Sequence, residues 1–315
     1  MQRFSCAVAA LVLSYGVVSP NASARHGERS IAPRFVDVAS AAESFVDDEP
    51  ETIIDVRPLS DYLAGHIEGA MHLDDAALRG PRGRSPVRLL EVEALAALFG
   101  SIGVRHDTPV FVYGDRHDPL SATLVAYALG RVGHGDVRLL AGGYDAWSAN
   151  HPVTRAFPLV RPAELQAWPP TLDEVVFGQV YGSVRSGRTV FIDARPREHY
   201  LGDRSTWVRN GHIPGAVSVP WKSLTQAHNA HRLKSKDEID AILSSAGVTA
   251  DDTIVVYCGT GREATLLMLT LVGEMGWSNV SLYEGSWTEY SSVAGVGVEV
   301  GSGVGVGGGV GVGVP

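Results

Sequence analysis

Cysteine is nearly absent from this chain: two occur among 315 residues, Cys6 and Cys258. A small fold stapled by disulfides is excluded, and so is a zinc site of the Cys-x-x-Cys kind, which needs several thiolates at close spacing. Nothing else in the sequence calls for a metal or an organic cofactor, and none is expected. Charge is sparse, at 19% of residues, and its basic share is the smaller, 26 Lys and Arg against 35 Asp and Glu, for a net charge of -9. Without a global positive field the chain is not built to hold nucleic acid or an anionic lipid surface, and any anionic ligand must be bound by local groups. Long apolar runs are missing too. The run from Phe4 to Val18 falls short of the ~20 residues that cross a bilayer. Preceded by Arg3 and followed by Ala22-Ser23-Ala24, it has the pattern of a cleaved export signal over residues 1–24. The expectation is an exported protein, periplasmic or secreted after cleavage near Ala24, with no membrane span in the mature chain. Cys6 leaves with the signal, so one cysteine remains. No intrachain disulfide is then possible, and Cys258 is either a buried small hydrophobe or a working thiol.

What the chain has in quantity is internal repetition. Ile53-Ile54-Asp55-Val56-Arg57-Pro58 recurs as Phe191-Ile192-Asp193-Ala194-Arg195-Pro196, and Gly65-His66-Ile67-Glu68-Gly69-Ala70 recurs as Gly211-His212-Ile213-Pro214-Gly215-Ala216. Val110-Phe111-Val112-Tyr113 is answered by Ile254-Val255-Val256-Tyr257, and the Gly-Gly-Tyr-Asp-Ala-Trp ending at Trp147 by the Gly-Ser-Trp ending at Trp287. Four matched segments in one order predict two homologous domains, over 31–150 and 171–292. Within each, short β-rich apolar runs alternate with helical periods, which predicts an α/β fold with a mainly parallel sheet covered by helices on both faces. The proline-rich stretch 151–170 reads as the linker, and residues 202–209 as an insertion found in the second copy alone. From 293 to 315 the chain is almost wholly Gly and Val, too poor in buriable surface to offset its ordering entropy, so a disordered tail is expected there.

Cys258 stands between the strand Ile254–Tyr257 and a helix that begins after Gly259-Thr260-Gly261-Arg262-Glu263. The C-terminal end of a parallel strand is where α/β sheets bind ligands. Two glycines let successive N–H groups turn inward as an anion nest, and the helix dipole adds to that field. A thiol there is expected to have a lowered pKa, with Arg262 supplying a fixed positive charge. The position answering Cys258 in the first copy is Gly114, so one copy alone carries a nucleophile.

Taken together, Asp-x-Arg after a strand, Gly-His-Ile-Pro-Gly-Ala, Tyr-Cys-Gly-x-Gly and Gly-Ser-Trp resemble the two-domain rhodanese family of thiosulfate and 3-mercaptopyruvate sulfurtransferases, over roughly residues 31–292. The resemblance implies two tandem rhodanese-like domains, the first catalytically silent. It implies a ping-pong reaction in which Cys258 takes a sulfur from a small donor as a persulfide and passes it to cyanide or a thiol. Gly259, Thr260, Gly261, Arg262 and Glu263 would then form the cradle, and Arg195 would reach the anionic end of the donor, unless it serves instead as a structural partner of Asp193. Thiosulfate is placed narrowly ahead of 3-mercaptopyruvate, because the histidine relay proposed for mercaptopyruvate enzymes has no candidate between Asp74 and Leu90. His66 and His212, present in both copies, are read as structural. A phosphatase or arsenate reductase is disfavoured, since the arginine a phosphatase needs after a five-residue loop would fall on Ala264. An exported sulfur carrier that does not turn over is the other alternative. The protein is expected to be monomeric.

Overall fold

The computed structural model describes residues 32–45 and 51–301. The expected export signal lies outside the described residues. The first repeat contains strands β1 (Arg34–Val36), β2 (Thr52–Asp55), β3 (Met71–His72), β4 (Arg79–Arg82), β5 (Ser85–Leu89), β6 (Val110–Tyr113) and β7 (Val137–Leu140). Its helices are α1 (Val38–Ser44), α2 (Leu59–Ala64), α3 (Val92–Ser101), α4 (Leu120–Arg131) and α5 (Gly143–Ser148). The second repeat follows the same plan with β8 (Asp173–Glu174), β9 (Val190–Asp193), β10 (Val217–Ser218), β11 (Thr225–Gln226), β12 (Asn229–Leu233), β13 (Ile254–Tyr257) and β14 (Val280–Leu282). Its helices are α6 (Phe177–Ser186), α7 (Arg197–Leu201), α8 (Lys236–Ser245), α9 (Arg262–Leu269) and α10 (Ser286–Ser292).

The two five-stranded sheets run β1-β7-β6-β2-β3 and β8-β14-β13-β9-β10, which is one topology used twice, and every pairing in them is parallel. Strand residues alternate between two apolar layers, as a pleated strand buried on both faces must. Ile54 and Val112 face α3 and α4, while Ile53 and Phe111 face Ala41 and Trp147 of α1 and α5. In the second sheet Ile192 and Val256 face α8 and α9, and Phe191 and Tyr257 face Val180 and Trp287. The layers holding α4 and α9 merge into one core that joins the repeats. Helix α4 is buried on all sides from Leu120 to Gly130, and its Thr123 hydroxyl meets that of Thr265 on α9 at 2.8 Å.

The two antiparallel hairpins, β4-β5 and β11-β12, stand off the sheets. Each reaches the other repeat. Asn229 and His231 of the second hairpin bond the first repeat at Gly142 and Gly114, and Arg88 of the first pairs with Glu174 and Glu284.

Disorder from residue 293 is not what the structure shows. Residues up to 301 run back across the second repeat as a strap: His212 and Glu299 exchange backbone hydrogen bonds of 2.8 and 3.0 Å, Gly301 N–H donates to Leu201 O, and Val296 is buried. The stretch read as a linker does the same for the first repeat, where His66 and Thr154 exchange bonds of 2.9 and 2.8 Å. Composition is a poor guide here because the strap gains its stability from backbone pairing and a few valines rather than from a core of its own. The remaining Gly/Val residues, 302–315, lie outside the described residues.

Candidate active site

Cys258 follows the last residue of β13 and is fully buried. Gly261 takes a left-handed backbone, φ +85°, and ends the loop at the first turn of α9. The loop is tied to α10: Trp287 N–H donates to Cys258 O at 2.9 Å, and Thr288 donates from its backbone and its hydroxyl to Gly259 O. Ser286, at φ +50°, accepts the Cys258 N–H on its Oγ at 3.2 Å. The backbone N–H groups of Ala264, Thr260 and Glu263 act on the thiol in the direction the loop reading expects, favouring its anion.

The expected lowering of the thiol pKa is overturned. Burial pushes Cys258 up to about 12, the charge of Glu263 adds to it, and the three N–H groups only moderate the rise. A nest stabilises an anion by oriented dipoles, but removing all water from a thiolate costs more than these dipoles return in the buried site. Glu263 is itself raised by burial and by the charge of Asp193, against N–H donation from Gly259 and a hydrogen bond with the Cys258 side chain. Thiol and carboxylate are therefore direct neighbours.

Arg262 is also not where the sequence predicts it. Its guanidinium turns to the first repeat, with Nε donating to Asp75 at 2.9 Å and Nη2 to Asp118 at 2.7 Å and to the Ser121 hydroxyl at 2.6 Å. Two carboxylates neutralise it, so it fastens the loop to the other repeat instead of supplying free charge to the cradle.

Arg195 satisfies the structural reading. Fully buried, it pairs with Asp193 through Nε and Nη2, and Nη2 also donates to Gly211 O at 2.7 Å. Arg57 repeats the arrangement with Asp55 and Gly65 O in the first copy. Burial pulls the Arg195 guanidinium down, but the hydrogen bond and charge of Asp193, then Tyr257 and Cys258, hold it above its ordinary range. Its Nη1 has no partner among the described residues. His66 and His212 are structural as expected, each with Nδ1 on a tyrosine carbonyl and its ring stacked on that tyrosine, Tyr62 or Tyr200.

Sequence reading missed Trp207, which the 202–209 insertion lays over the site. A Cβ on Gly259 would stand 2.5 Å from its ring, and the Arg195 guanidinium lies 5.1 Å from its centroid. Arg209 anchors the insertion by donating to the carbonyls of Tyr290, Ser291, Val293 and Val296. The length of the insertion was the available signal. The first copy is closed in a different way, with Gly114 N–H donating to His231 Nε2 at 3.2 Å, so that a histidine of the second repeat fills the place where a cysteine side chain would go.

The site is thus a buried thiol at a strand end, beside a glycine loop and against a tryptophan from an inserted loop. A profile of the rhodanese-like domain matches residues 38–150 and again 178–293. This chain belongs to the rhodanese-like family. Among its relatives, a putative thiosulfate sulfurtransferase of Synechococcus elongatus is 40% identical over 91% of each chain. A 3-mercaptopyruvate sulfurtransferase of Escherichia coli is 32% identical over 81% of this chain and 94% of its own. The solved structure of an Escherichia coli 3-mercaptopyruvate sulfotransferase with a rhodanese fold matches with a TM-score of 0.71 at 32% identity, covering 81% of this chain and 99% of that one. No helix among the described residues is long and apolar enough to cross a membrane.

Proposed function

We propose that this rhodanese-family protein is a sulfurtransferase that moves the outer sulfur of thiosulfate to cyanide or a thiol through a persulfide on Cys258. The observation that carries the reading is the free thiol of Cys258, fully buried at the end of β13 against the glycine loop that opens α9. In the first half-reaction the thiol proton passes to the adjacent Glu263 carboxylate. The Cys258 sulfur then attacks the outer sulfur of the donor, the donor's S–S bond breaks, and its electron pair leaves with sulfite. The new S–S bond carries a terminal anionic sulfur, which the loop N–H groups stabilise where the charge develops. In the second half-reaction the acceptor attacks that sulfur and the Cys258 thiolate leaves, regaining its proton from Glu263.

Thiosulfate is preferred as donor because no histidine lies between Asp74 and Leu90. Mass spectrometry after incubation with thiosulfate tests the reading: one added sulfur on the peptide containing Cys258 is expected, followed by its loss on adding cyanide. Steady-state turnover with both donors separates the alternatives, since a mercaptopyruvate enzyme would favour that donor and a carrier would take up one equivalent and stop. We further propose that the protein is exported, with N-terminal sequencing of the mature chain expected to start after Ala24.

A further inference from the structure

The C-terminal ends of β2, β3 and β6 are the first repeat's counterpart of the ground on which Cys258 stands, and there the structure is open. Gly114 answers Cys258 and Arg57 answers Arg195, but the first repeat has no insertion answering residues 202–209 to lay a tryptophan over them. What remains is a cavity of about 330 Å³, with Arg57, Gly114, Asp74 and Asp115 in its lining. Spaces of that order hold small molecules, and the carboxyl ends of parallel strands are where sheets of this kind bind them.

The lining carries both kinds of unfilled group. The Arg57 guanidinium donates through Nε and Nη2 alone, to Asp55 and to Gly65 O. Its Nη1 has no partner among the described residues, and its side chain keeps 4% exposure where that of Arg195 has none. A buried donor left unfilled is costly, and here it stands beside a cavity that can supply an acceptor. Of the lining carboxylates, Asp75 and Asp118 are taken by Arg262, which also reaches Ser121. Asp74 and Asp115 are not taken. Each accepts only backbone N–H groups, all on Oδ1: from Ala76 in the first case, and from His117 and Asp118 in the second. Neither is ion-paired among the described residues, so both Oδ2 atoms are left for a ligand.

We propose that this cavity is a second ligand site that takes a basic amino acid, its carboxylate on Arg57 Nη1 and its two cationic groups on Asp74 and Asp115. The open groups set the class. One guanidinium nitrogen calls for one acceptor, and two unpaired carboxylates call for two positively charged donors. Net charge selects in the same direction. Arg57 is balanced by Asp55, and Arg262 balances only one of the two aspartates it holds, so the four lining aspartates keep a surplus of negative charge. That surplus repels an anion such as thiosulfate and draws in a ligand that is positive overall. Neither Cys258 nor residues 259–263 line the cavity, so this site is distinct from the one proposed for sulfur transfer.

Isothermal titration calorimetry of the full-length protein tests the site without any sulfur transfer, so the outcome does not depend on the role of Cys258. L-Lysine is expected to bind at one equivalent. Cadaverine, which keeps both ammonium groups of lysine and lacks its carboxylate, is expected to bind about tenfold more weakly for want of the charge-assisted bond to Arg57. Varying the ligand in this way avoids Arg57→Gln, which would leave Asp55 buried and unpaired and endanger the fold. Asp74→Asn and Asp115→Asn keep the oxygen that accepts the local backbone N–H groups, so both variants should melt with the wild type. Each is expected to weaken L-lysine binding by about fivefold or more, the loss of one ion pair. Absence of L-lysine binding to the wild type would overturn the proposal. Cadaverine binding as tightly as L-lysine would also overturn it, by removing the carboxylate contact, as would an unchanged L-lysine affinity in either aspartate variant.

Discussion

Enclosing Cys258 removes the water that would hydrate its thiolate, and three N–H donors do not make up the difference with Glu263 alongside. With the thiol pushed up to about 12, the thiolate fraction at pH 8 is on the order of one in ten thousand. Alkylation by neutral iodoacetamide should therefore climb steadily from pH 7 to pH 10, about tenfold per unit, because each unit lies below the pKa. A plateau beginning below pH 8.5 would show that the thiolate is already formed and that the nest outweighs burial. Removing the neighbouring charge with Glu263→Gln lowers the thiol pKa, so alkylation at pH 8 should speed up even as sulfur transfer slows for want of a proton acceptor. Cys258→Ser should abolish transfer without loss of fold, and activity surviving in that variant would refute the assignment. At this scale the sequence was informative about which thiol matters and about the inward-facing N–H groups. It was misleading about pKa, because burial depends on Trp207 and α10, which are remote in sequence, and about Arg262, because its partners Asp75 and Asp118 lie in the other repeat.

Two segments that composition assigned to loop and tail shape the second repeat. Trp207 rests against Gly259 and beside Arg195, so replacing it by alanine should uncover the loop. The expected result is alkylation of Cys258 faster by about tenfold together with slower sulfur transfer, as water gains entry to a site that works by excluding it. Unchanged alkylation would mean that the ring does not limit access. The strap gives a cleaner comparison by truncation. A chain ending at Ser302 keeps the His212–Glu299 pairing and the Arg209 bond to Val296 O, and should melt with the full-length protein. One ending at Val293 loses both and leaves His212 N–H without its partner, so it should lose about 2–4 kcal/mol, several degrees in Tm for a chain of this size. Equal melting temperatures would show that the strap is passive. The parallel strands and buried helices were legible from period and repetition, but the strap was not, because glycine-rich sequence carries no apolar period even when its backbone is paired.

The doubled architecture distributes one site over two repeats. Each hairpin crosses to its neighbour, so the β11-β12 hairpin places His231 against Gly114 while the β4-β5 hairpin brings Arg79 to the cleft beside Thr260 and Gly261. Repetition in the sequence revealed the two copies and which one lacks a cysteine, but not this exchange, since the hairpins are where the copies differ most. It bears on whether the first copy could carry a nucleophile at all. The segment Asp115-Arg116-His117-Asp118-Pro119 has two carboxylates and no glycine where a thiolate would have to form; the structure adds a steric reason. A Cβ on Gly114 would lie 2.8 Å from His231 Nε2 and 3.0 Å from Asp118 O, so any side chain there must displace the histidine or the backbone. The double variant Gly114→Cys, Cys258→Ser is accordingly expected to take up no sulfur from thiosulfate. Adding His231→Gly should relieve the nearest contact and improve folding, yet still yield no persulfide, because the carboxylates raise the thiol pKa and repel an anionic donor. Sulfur on residue 114 in the triple variant alone would show that His231 is the whole barrier. Sulfur in the double variant at a rate near that of wild type would show that the sheet-and-helix frame activates a cysteine by itself, without the glycine loop or Glu263.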